Sequence, residues 1–243
     1  MLHDLPPALG EGCAEAGIGP EQGMNIHPFE LAGERLAALP SGALHWPAAG
    51  LLCVSDLHLC KAERMARRGG GMLPPYETRD TLARLEADIH ATGARVVVCL
   101  GDSFDDPGAA EAMEEEDRLW LLRLQAGLRW IWIEGNHDPG GLGFGGTYLA
   151  ELAEGPLSFR HIAKAGAERG EISGHYHPKA RISAHGKSVT RACFLTDGER
   201  LILPAYGTYT GGLHWTDPVF AGLLGTGARA FLTGRRIHAV PVP

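Results

Sequence analysis

Three apolar runs of strand length end in polar side chains, and this feature constrains the fold more than any other. The runs are LLCVSD at 51–56, ARVVVCLGD at 94–102 and LRWIWIEGNHD at 128–138. Their apolar residues are continuous rather than alternating, which is typical of strands buried on both faces of a parallel sheet. Because parallel neighbours need a long crossover connection, we expect helices between the runs.

Helical periodicity is present where those crossovers are expected. In residues 78–92, Leu82 and Leu85 lie on one helical face, and Gly93 follows as a C-terminal stop. The acidic segment 108–127 predicts a second helix, whose early glutamates suit the positive N-terminal end of a helix. Strands alternating with helices predict an α/β fold with helices on both faces of the sheet.

The segments before and after these alternating strands and helices show other patterns. Residues 29–47 alternate and turn like a short hairpin or a pair of edge strands, and the chain after Gly155 resembles strands joined by short turns. The first 23 residues are rich in Gly, Pro, Glu and Ala without periodicity. We therefore expect a flexible tail over 1–23, with Met24 as an alternative start, and a single domain over 24–243.

Composition narrows the functional classes. Of the 243 residues 44% are hydrophobic, as expected of a globular protein, and no apolar run reaches the roughly 18 to 20 residues of a bilayer span. The five cysteines form no C-x-x-C pair. We expect a soluble cytoplasmic protein without membrane contact. Its net charge of -7 argues against a plain DNA-binding module, so any nucleic-acid contact needs a local basic patch or bound metal.

Polar side chains of metal-binding type recur wherever an apolar run ends. In open α/β sheets, residues beyond the carboxyl ends of strands converge on one edge, however distant they are in sequence. Taken singly, each is more often a helix cap, a turn residue or an exposed imidazole, but so many endings of one kind indicate a shared site. The candidate ligands are Asp56, His58, Asp102, Asn136, His161, His175 and His177.

The chemistry of these ligands favours a pair of metal ions. Carboxylate, imidazole and amide ligands without thiolate suit Mn²⁺, Fe or Zn²⁺, whereas a cage of oxygen atoms alone would indicate Mg²⁺ or Ca²⁺. Seven ligands exceed what one ion with open positions needs. They suit two ions about 3.5 to 4 Å apart with a bridging carboxylate, which generate a hydroxide nucleophile and neutralise charge on a phosphoryl group.

Five motifs in this order resemble the calcineurin-like metallophosphoesterases. They are D-L-H at 56–58, G-D at 101–102, G-N-H-D at 135–138, the lone His161 and G-H-Y-H at 174–177. The resemblance implies a two-layer β-sandwich flanked by α-helices, with the ligands at its top edge.

The same resemblance implies a role for each site residue. It implies two metal ions, with Mn²⁺ favoured. Asp56, His58 and His177 would hold one ion, and Asn136, His161 and His175 would hold the other. Asp102 would bridge the two ions. His137 would be the acid that stabilises the phosphoryl oxygen or protonates the leaving oxygen, and Asp138 would orient its ring.

Flanking segments are similar to a narrower group. LHWPAAGLLCVSDLHLCKAE, WIWIEGNHDP, FRHIAKAG and LPAYGTYTGGL resemble the ligase-associated phosphoesterases of bacterial DNA-repair operons, the PdeM-like group. This likeness implies a DNA endonuclease or phosphodiesterase that works beside an ATP-dependent ligase, a helicase and an exonuclease.

Two positions depart from the pattern of that group. Cys60 stands where glycine is expected, and Asp105, followed by Asp106, stands where histidine is expected. We expect Cys60 to crowd the loop beside the metals. We expect Asp105 to add negative charge that tunes metal affinity or weakens the binding of an anionic substrate.

Substrate contacts are predicted in two segments, each with an ordinary alternative. Lys61, Arg64, Arg67 and Arg68 follow the first ligands in a basic, Gly-rich loop that suits backbone phosphates, or is simply solvated. Tyr209, with Tyr206, is available for base stacking, or the two tyrosines pack in a turn at a strand end.

Three functions compete at this point. The first is a phosphodiesterase or endonuclease acting on DNA. The second keeps the metal pair but acts on a small nucleotide or phosphomonoester. The third is a phosphoesterase-like scaffold that binds proteins and catalyses nothing. Such a scaffold would be expected to lose ligands, whereas this chain has the complete predicted set.

Overall fold

The computed structural model describes residues 25–243 except 68, 70–73, 75, 139, 141–142, 167–168 and 185. The predicted tail over 1–23, Met24 and Arg68 lie outside the described residues. The strands are β1 (His27–Leu31), β2 (Glu34–Ala38), β3 (Leu44–Trp46), β4 (Leu51–Val54), β5 (Val96–Leu100), β6 (Arg129–Ile133), β7 (Thr147–Leu149), β8 (Glu151–Glu154), β9 (Leu157–Arg160), β10 (Glu171–Ser173), β11 (Lys179–Ala184), β12 (Lys187–Thr196), β13 (Arg200–Ile202), β14 (Arg229–Leu232) and β15 (His238–Pro241). The helices are α1 (Lys61–Arg67), α2 (Glu77–Thr92), α3 (Pro107–Glu111), α4 (Glu115–Gln125) and α5 (Pro218–Leu223).

The first sheet has seven strands in the order β1 to β7. β1, β2, β3 and β4 pair antiparallel, with Phe29 opposite Leu36, which confirms the hairpin expected near the start. β4, β5, β6 and β7 pair in parallel. The continuous apolar runs predicted this for β4, β5 and β6, and β7 is an additional strand. The carboxyl ends of these parallel strands therefore meet at one edge of the sheet.

The second sheet has the order β15-β14-β12-β13-β10-β9-β8, and β11 pairs with β12. One core lies between the sheets, where Leu100 and Ile131 of the first pack with Phe159 and Phe194 of the second. A second core, the helix-side core, lies between the first sheet and the helices that cover it. A third core lies under α5 on the second sheet. The expected two-layer sandwich flanked by helices is confirmed.

The helix predicted over 108–127 is broken in the structure. It consists of α3 and α4, and Glu114 between them has an extended backbone with ψ 139°. Met113 lies in this break and is buried in the helix-side core. The parallel link from β6 to β7 also has no helix among its described residues, contrary to the expected alternation.

Two further features concern packing and membranes. Trp130 and Trp132 are both buried in the helix-side core, so they pack on one face of the sheet. No helix in the described part of the chain has both the length and the apolar character that a bilayer crossing needs.

Candidate metal centre

The loops that follow the strands carry every predicted metal ligand. Asp56 and His58 follow β4, Asp102 follows β5, Asn136 follows β6, His161 follows β9, and His175 and His177 follow β10. Five of these residues have positive backbone φ angles: Asp56 (52°), His58 (44°), Asp102 (46°), His175 (72°) and His177 (47°). Residues with side chains rarely adopt this conformation, which costs energy and clusters at functional sites. The fold holds these loops in strained turns that point their side chains at one place.

Glycines let the loops approach each other closely. A Cβ atom on Gly135 would lie 2.1 Å from the backbone nitrogen of Asp102, and one on Gly174 would overlap the hydroxyl of Ser55. The glycines of the G-N-H-D and G-H-Y-H motifs are therefore needed for contact between neighbouring strand ends.

Asp56, His58 and His177 form a first cluster. Each offers one ligand atom, and these atoms all lie within 4.8 Å of one another. Oδ1 of Asp56 lies 3.1 Å from Nε2 of His177, while Oδ2 accepts hydrogen bonds from the Ser55 hydroxyl and from the backbone N–H of His175. Burial of Asp56 opposes its ionisation, but the hydrogen bond and charge of His177 outweigh this and lower its pKa. This carboxyl group is thus held as an anion.

A second cluster consists of Asp102, His161 and His175, whose ligand atoms also lie within 4.8 Å of one another. Nε2 of His161 is 3.4 Å from Oδ2 of Asp102, 3.2 Å from Nδ1 of His175 and 2.9 Å from Oδ1 of Asn136. Nδ1 of His161 lies 2.7 Å from the Leu100 carbonyl, to which it donates, so Nε2 faces the other ligand atoms. Such an outer hydrogen bond is what usually orients a metal-binding imidazole.

The two clusters share one edge of the molecule. His161 of the second cluster lies 3.9 Å from Oδ1 of Asp56 in the first. Burial raises the pKa of Asp102, but the hydrogen bond and charge of His161 outweigh it and lower the pKa to about 2. The structure therefore brings all seven predicted ligands together, and their assignment to individual ions stays a prediction.

The residues present fit a pair of metal ions. Nε2 of His58 is buried and has no hydrogen-bond partner among the described residues. A buried polar atom without a partner is costly unless something binds it. The thiol-free set of carboxylate, imidazole and amide atoms also matches first-row divalent ions.

His137 stands beside the two clusters without joining either. Its ring lies edge-on to His58 with centroids 5.4 Å apart, and its Nε2 is 3.9 Å from Oδ2 of Asp102. The side chain is 40% exposed, in contrast to His58 and Asp102 beside it, which are buried. This position suits a group that meets substrate from solvent.

Comparisons with known proteins agree with this geometry. The family described as "Calcineurin-like phosphoesterase" matches residues 50–206, which span the loops from Asp56 to His177. The chain belongs to that family. It is a metal-dependent phosphoester hydrolase, and its two clusters form a candidate dimetal centre.

Two solved structures are similar to this phosphoesterase. The nuclease MPE of Pseudomonas putida is 27% identical, with a TM-score of 0.69 over 88% of this chain and 100% of that one. Yfce, a phosphoesterase from E. coli, is 12% identical, with a TM-score of 0.39 over 79% of this chain and 99% of that one. A comparison with curated proteins found no match.

Asp138 does not orient His137 as we expected. Its carboxylate accepts backbone N–H bonds from Asp102 (3.0 Å), Ser103 (2.7 Å) and Phe104 (3.1 Å). Burial raises the pKa of Asp138 to about 6, despite these amide bonds. Asp138 anchors the loop that follows β5, because three successive amides of that loop converge on it. The His137 ring is instead held by its Nδ1, 3.0 Å from the Asp105 carbonyl oxygen.

Asp105 lies in the site, but its charge is compensated. Its Oδ1 is 3.0 Å from Nδ1 of His58 and 3.9 Å from Nζ of Lys61, and its Oδ2 forms an ion pair with Nε of Arg64. Burial opposes ionisation, but His58, Lys61 and Arg64 together lower its pKa. The expected repulsion of an anionic substrate is therefore offset by two cations. The same pairing occupies Lys61 and Arg64, and their contact with substrate stays a prediction.

Cys60 does not crowd the ligands of the phosphoesterase. Its side chain is buried in the helix-side core, and its backbone N–H donates to the Thr78 hydroxyl at 2.9 Å. The departure from glycine appears in the backbone instead, because Cys60 has φ 61°. Burial raises the pKa of its thiol to about 12, which favours the protonated thiol.

The remaining predicted contacts divide between core and surface. Tyr206 is buried, with its hydroxyl donating to Asp88 at 2.8 Å, so it is not available for stacking. Tyr209 is 37% exposed and lies beside Tyr76 with ring centroids 6.1 Å apart. Arg67 ends α1, and its side chain lies outside the described part of the structure.

Several residues of the site were missed from the sequence. Ser55 bonds the Asp56 carboxylate, Leu100 supplies the carbonyl for His161, and Tyr76 pairs with Tyr209. Ser55 directly precedes a ligand, so its position was a usable signal. The other two act through contacts that no local pattern records.

Proposed function

We propose that this phosphoesterase hydrolyses phosphodiester bonds in DNA. The observation that carries the proposal is the juxtaposition of two clusters of potential metal-binding side chains with a partly exposed imidazole outside them, His137. Two divalent ions, Mn²⁺ by preference with Fe or Zn²⁺ as alternatives, would supply a hydroxide nucleophile and neutralise the phosphoryl charge.

The residues of the chain provide the rest of the chemistry. Asp56, His58 and His177 would hold one ion, Asn136, His161 and His175 the other, and Asp102 would bind both. Hydrogen bonds between backbone amides and buried carboxylates tie these loops to each other. A site held in place before substrate arrives loses little energy to reorganisation.

In this proposal His137 gives a proton to the leaving oxygen. Its Nδ1 donates to the Asp105 carbonyl at 3.0 Å, so the exchangeable proton of the charged ring is on Nε2, on the side of Asp102. A proton at that atom serves an oxygen that leaves the phosphorus.

The nucleic-acid substrate is supported by the likeness to a nuclease. The P. putida nuclease MPE matches over 100% of its length at 27% identity. Because the net charge is -7, a DNA strand must be held by bound metal and local cations. We place the enzyme in the cytoplasm, in DNA repair beside an ATP-dependent ligase, a helicase and an exonuclease, as the PdeM-like resemblance implies.

The test uses full-length protein stripped by chelator and reloaded with Mn²⁺, Fe²⁺ or Zn²⁺. Substrates are bis-p-nitrophenyl phosphate, p-nitrophenyl phosphate, and labelled single-stranded and duplex DNA. We expect Mn²⁺-dependent cleavage of the diester and of DNA, and none by a matched Asp102→Asn preparation, which controls for contaminating nucleases. Turnover of monoesters alone would replace the proposal with a small-substrate phosphatase.

A further inference from the structure

An open groove of about 750 Å³ lies beside the metal centre. Its walls are α2, the segment 205–210, and residues of β11 and β12. None of the seven predicted ligands lines it. It is therefore a separate surface from the catalytic site.

The groove is joined to the metal centre through its walls. The backbone N–H groups of Tyr206 and Gly207 donate to the carbonyls of Ser55 and Asp56, at 2.7 and 3.1 Å. On the opposite wall, Lys179 follows the ligand His177 by two residues. These hydrogen bonds tie one wall of the groove directly to the loop that carries Asp56.

The groove presents two cations without carboxylate partners. Nζ of Lys179 donates to the Thr210 carbonyl at 2.7 Å, and neither Lys179 nor Arg191 forms an ion pair with any described residue. Arg84, which also lines the groove, is by contrast paired with Asp80 at 3.3 Å. In a protein of net charge -7, two uncompensated cations in one groove are suited to an anion.

An aromatic surface borders the same groove. Tyr209 lines it and is 37% exposed, and its neighbour Tyr76 is 56% exposed. Exposed aromatic faces near cations are the surfaces on which single-stranded nucleic acids stack their bases. A duplex keeps its bases stacked on each other, so it would leave such faces unused.

We propose that this groove binds the single-stranded nucleic acid that continues from the scissile phosphate. Lys179 and Arg191 contact backbone phosphates, and Tyr209, supported by Tyr76, stacks an unpaired base. This inference rests on the proposed phosphodiesterase function, for which it names the substrate class.

The test combines kinetics with binding. Lys179→Ala/Arg191→Ala and Tyr209→Ala are compared with the wild type and with Arg129→Ala, a matched loss of an exposed cation at the start of β6, away from the carboxyl edge. For Mn²⁺-loaded enzyme, kcat/KM is measured on a single-stranded oligonucleotide and on bis-p-nitrophenyl phosphate. Affinity of chelator-treated protein for the fluorescent oligonucleotide is measured by anisotropy at several salt concentrations.

In the double variant we expect the ratio of kcat/KM for the oligonucleotide to that for the small diester to fall about tenfold. Two lost phosphate contacts should also reduce the slope of log K against log salt by about 1.4. Tyr209→Ala should weaken binding about fivefold or more with an unchanged slope. Arg129→Ala should match the wild type.

Two failures are distinguishable. One is a double variant that keeps the affinity, the salt slope and the kinetic ratio of an active wild type. That result would overturn the proposed role of the groove. A wild type that cleaves neither diester would overturn the proposed function instead. Because Lys179 also bonds the Thr210 carbonyl, the exposed Arg191→Glu provides a second variant, and it must weaken oligonucleotide binding if the groove is correct.

Discussion

Asp105 offers the sharpest test of how the site is held together. Its carboxylate lies 3.0 Å from Nδ1 of His58 and carries the counter-charge for Lys61 and Arg64. Asp105→Ala removes the partner that orients a buried imidazole. It also leaves two cations uncompensated near the place where metal binds.

Both effects act in the same direction. Loss of an outer-shell partner typically lowers metal affinity about 10- to 100-fold, which corresponds to about 1.4 to 2.7 kcal/mol. The uncompensated charges of Lys61 and Arg64 repel a cation further, so we expect the upper part of that range for Asp105→Ala. Asp105→Asn keeps an oxygen for His58 but removes the charge, and should cost about tenfold.

The measurement is a calorimetric titration of chelator-stripped protein with Mn²⁺, with circular dichroism to check folding. Affinity should fall mainly at the site of Asp56, His58 and His177, and less at the other site. Glu111→Gln is the matched control for Asp105→Asn, because Glu111 is an exposed carboxylate at the end of α3. If Asp105→Ala binds both ions within twofold of the wild type, Asp105 does not position His58.

Three further predictions concern ligands, pH and packing. His137→Ala should keep both metals by elemental analysis and lower kcat about 10²- to 10⁴-fold. Asp102→Asn should instead lose metal at both sites. Equal metal loss in the two variants would contradict the assignment of His137 as an acid and Asp102 as a ligand. Burial opposes protonation of His161, but the Asp102 carboxylate raises its pKa above 6.5 in the metal-free protein. Because metal displaces that proton, Mn²⁺ affinity should rise with pH through this pKa, with proton release seen by calorimetry in two buffers, and a flat profile would refute it. Gly135→Ala should destabilise the fold by about 1–3 kcal/mol in urea unfolding, because its Cβ would lie 2.1 Å from the Asp102 nitrogen. Gly211→Ala, whose Cβ meets nothing within 4 Å, is its control, and equal stabilities would contradict the argument.

The sequence by itself determined the framework of the sheet and which candidate metal ligands would meet. Continuous apolar runs mark β4, β5 and β6 because a strand buried on both faces has no position for a polar side chain. Parallel strands bring their carboxyl ends to one edge, so ligands as distant as Asp56 and His177 were expected to meet, and their atoms lie within 4.8 Å.

Only the tertiary structure decided how the supporting groups are used. Asp138 bonds the loop after β5 rather than its neighbour His137, and Asp105 pairs with His58, Lys61 and Arg64. The break between α3 and α4 and the burial of Tyr206 beside an exposed Tyr209 were likewise not visible in local patterns. The physical reason is that periodicity records which face of an element is buried. The partner of a polar side chain, by contrast, depends on how separate loops pack against each other in space.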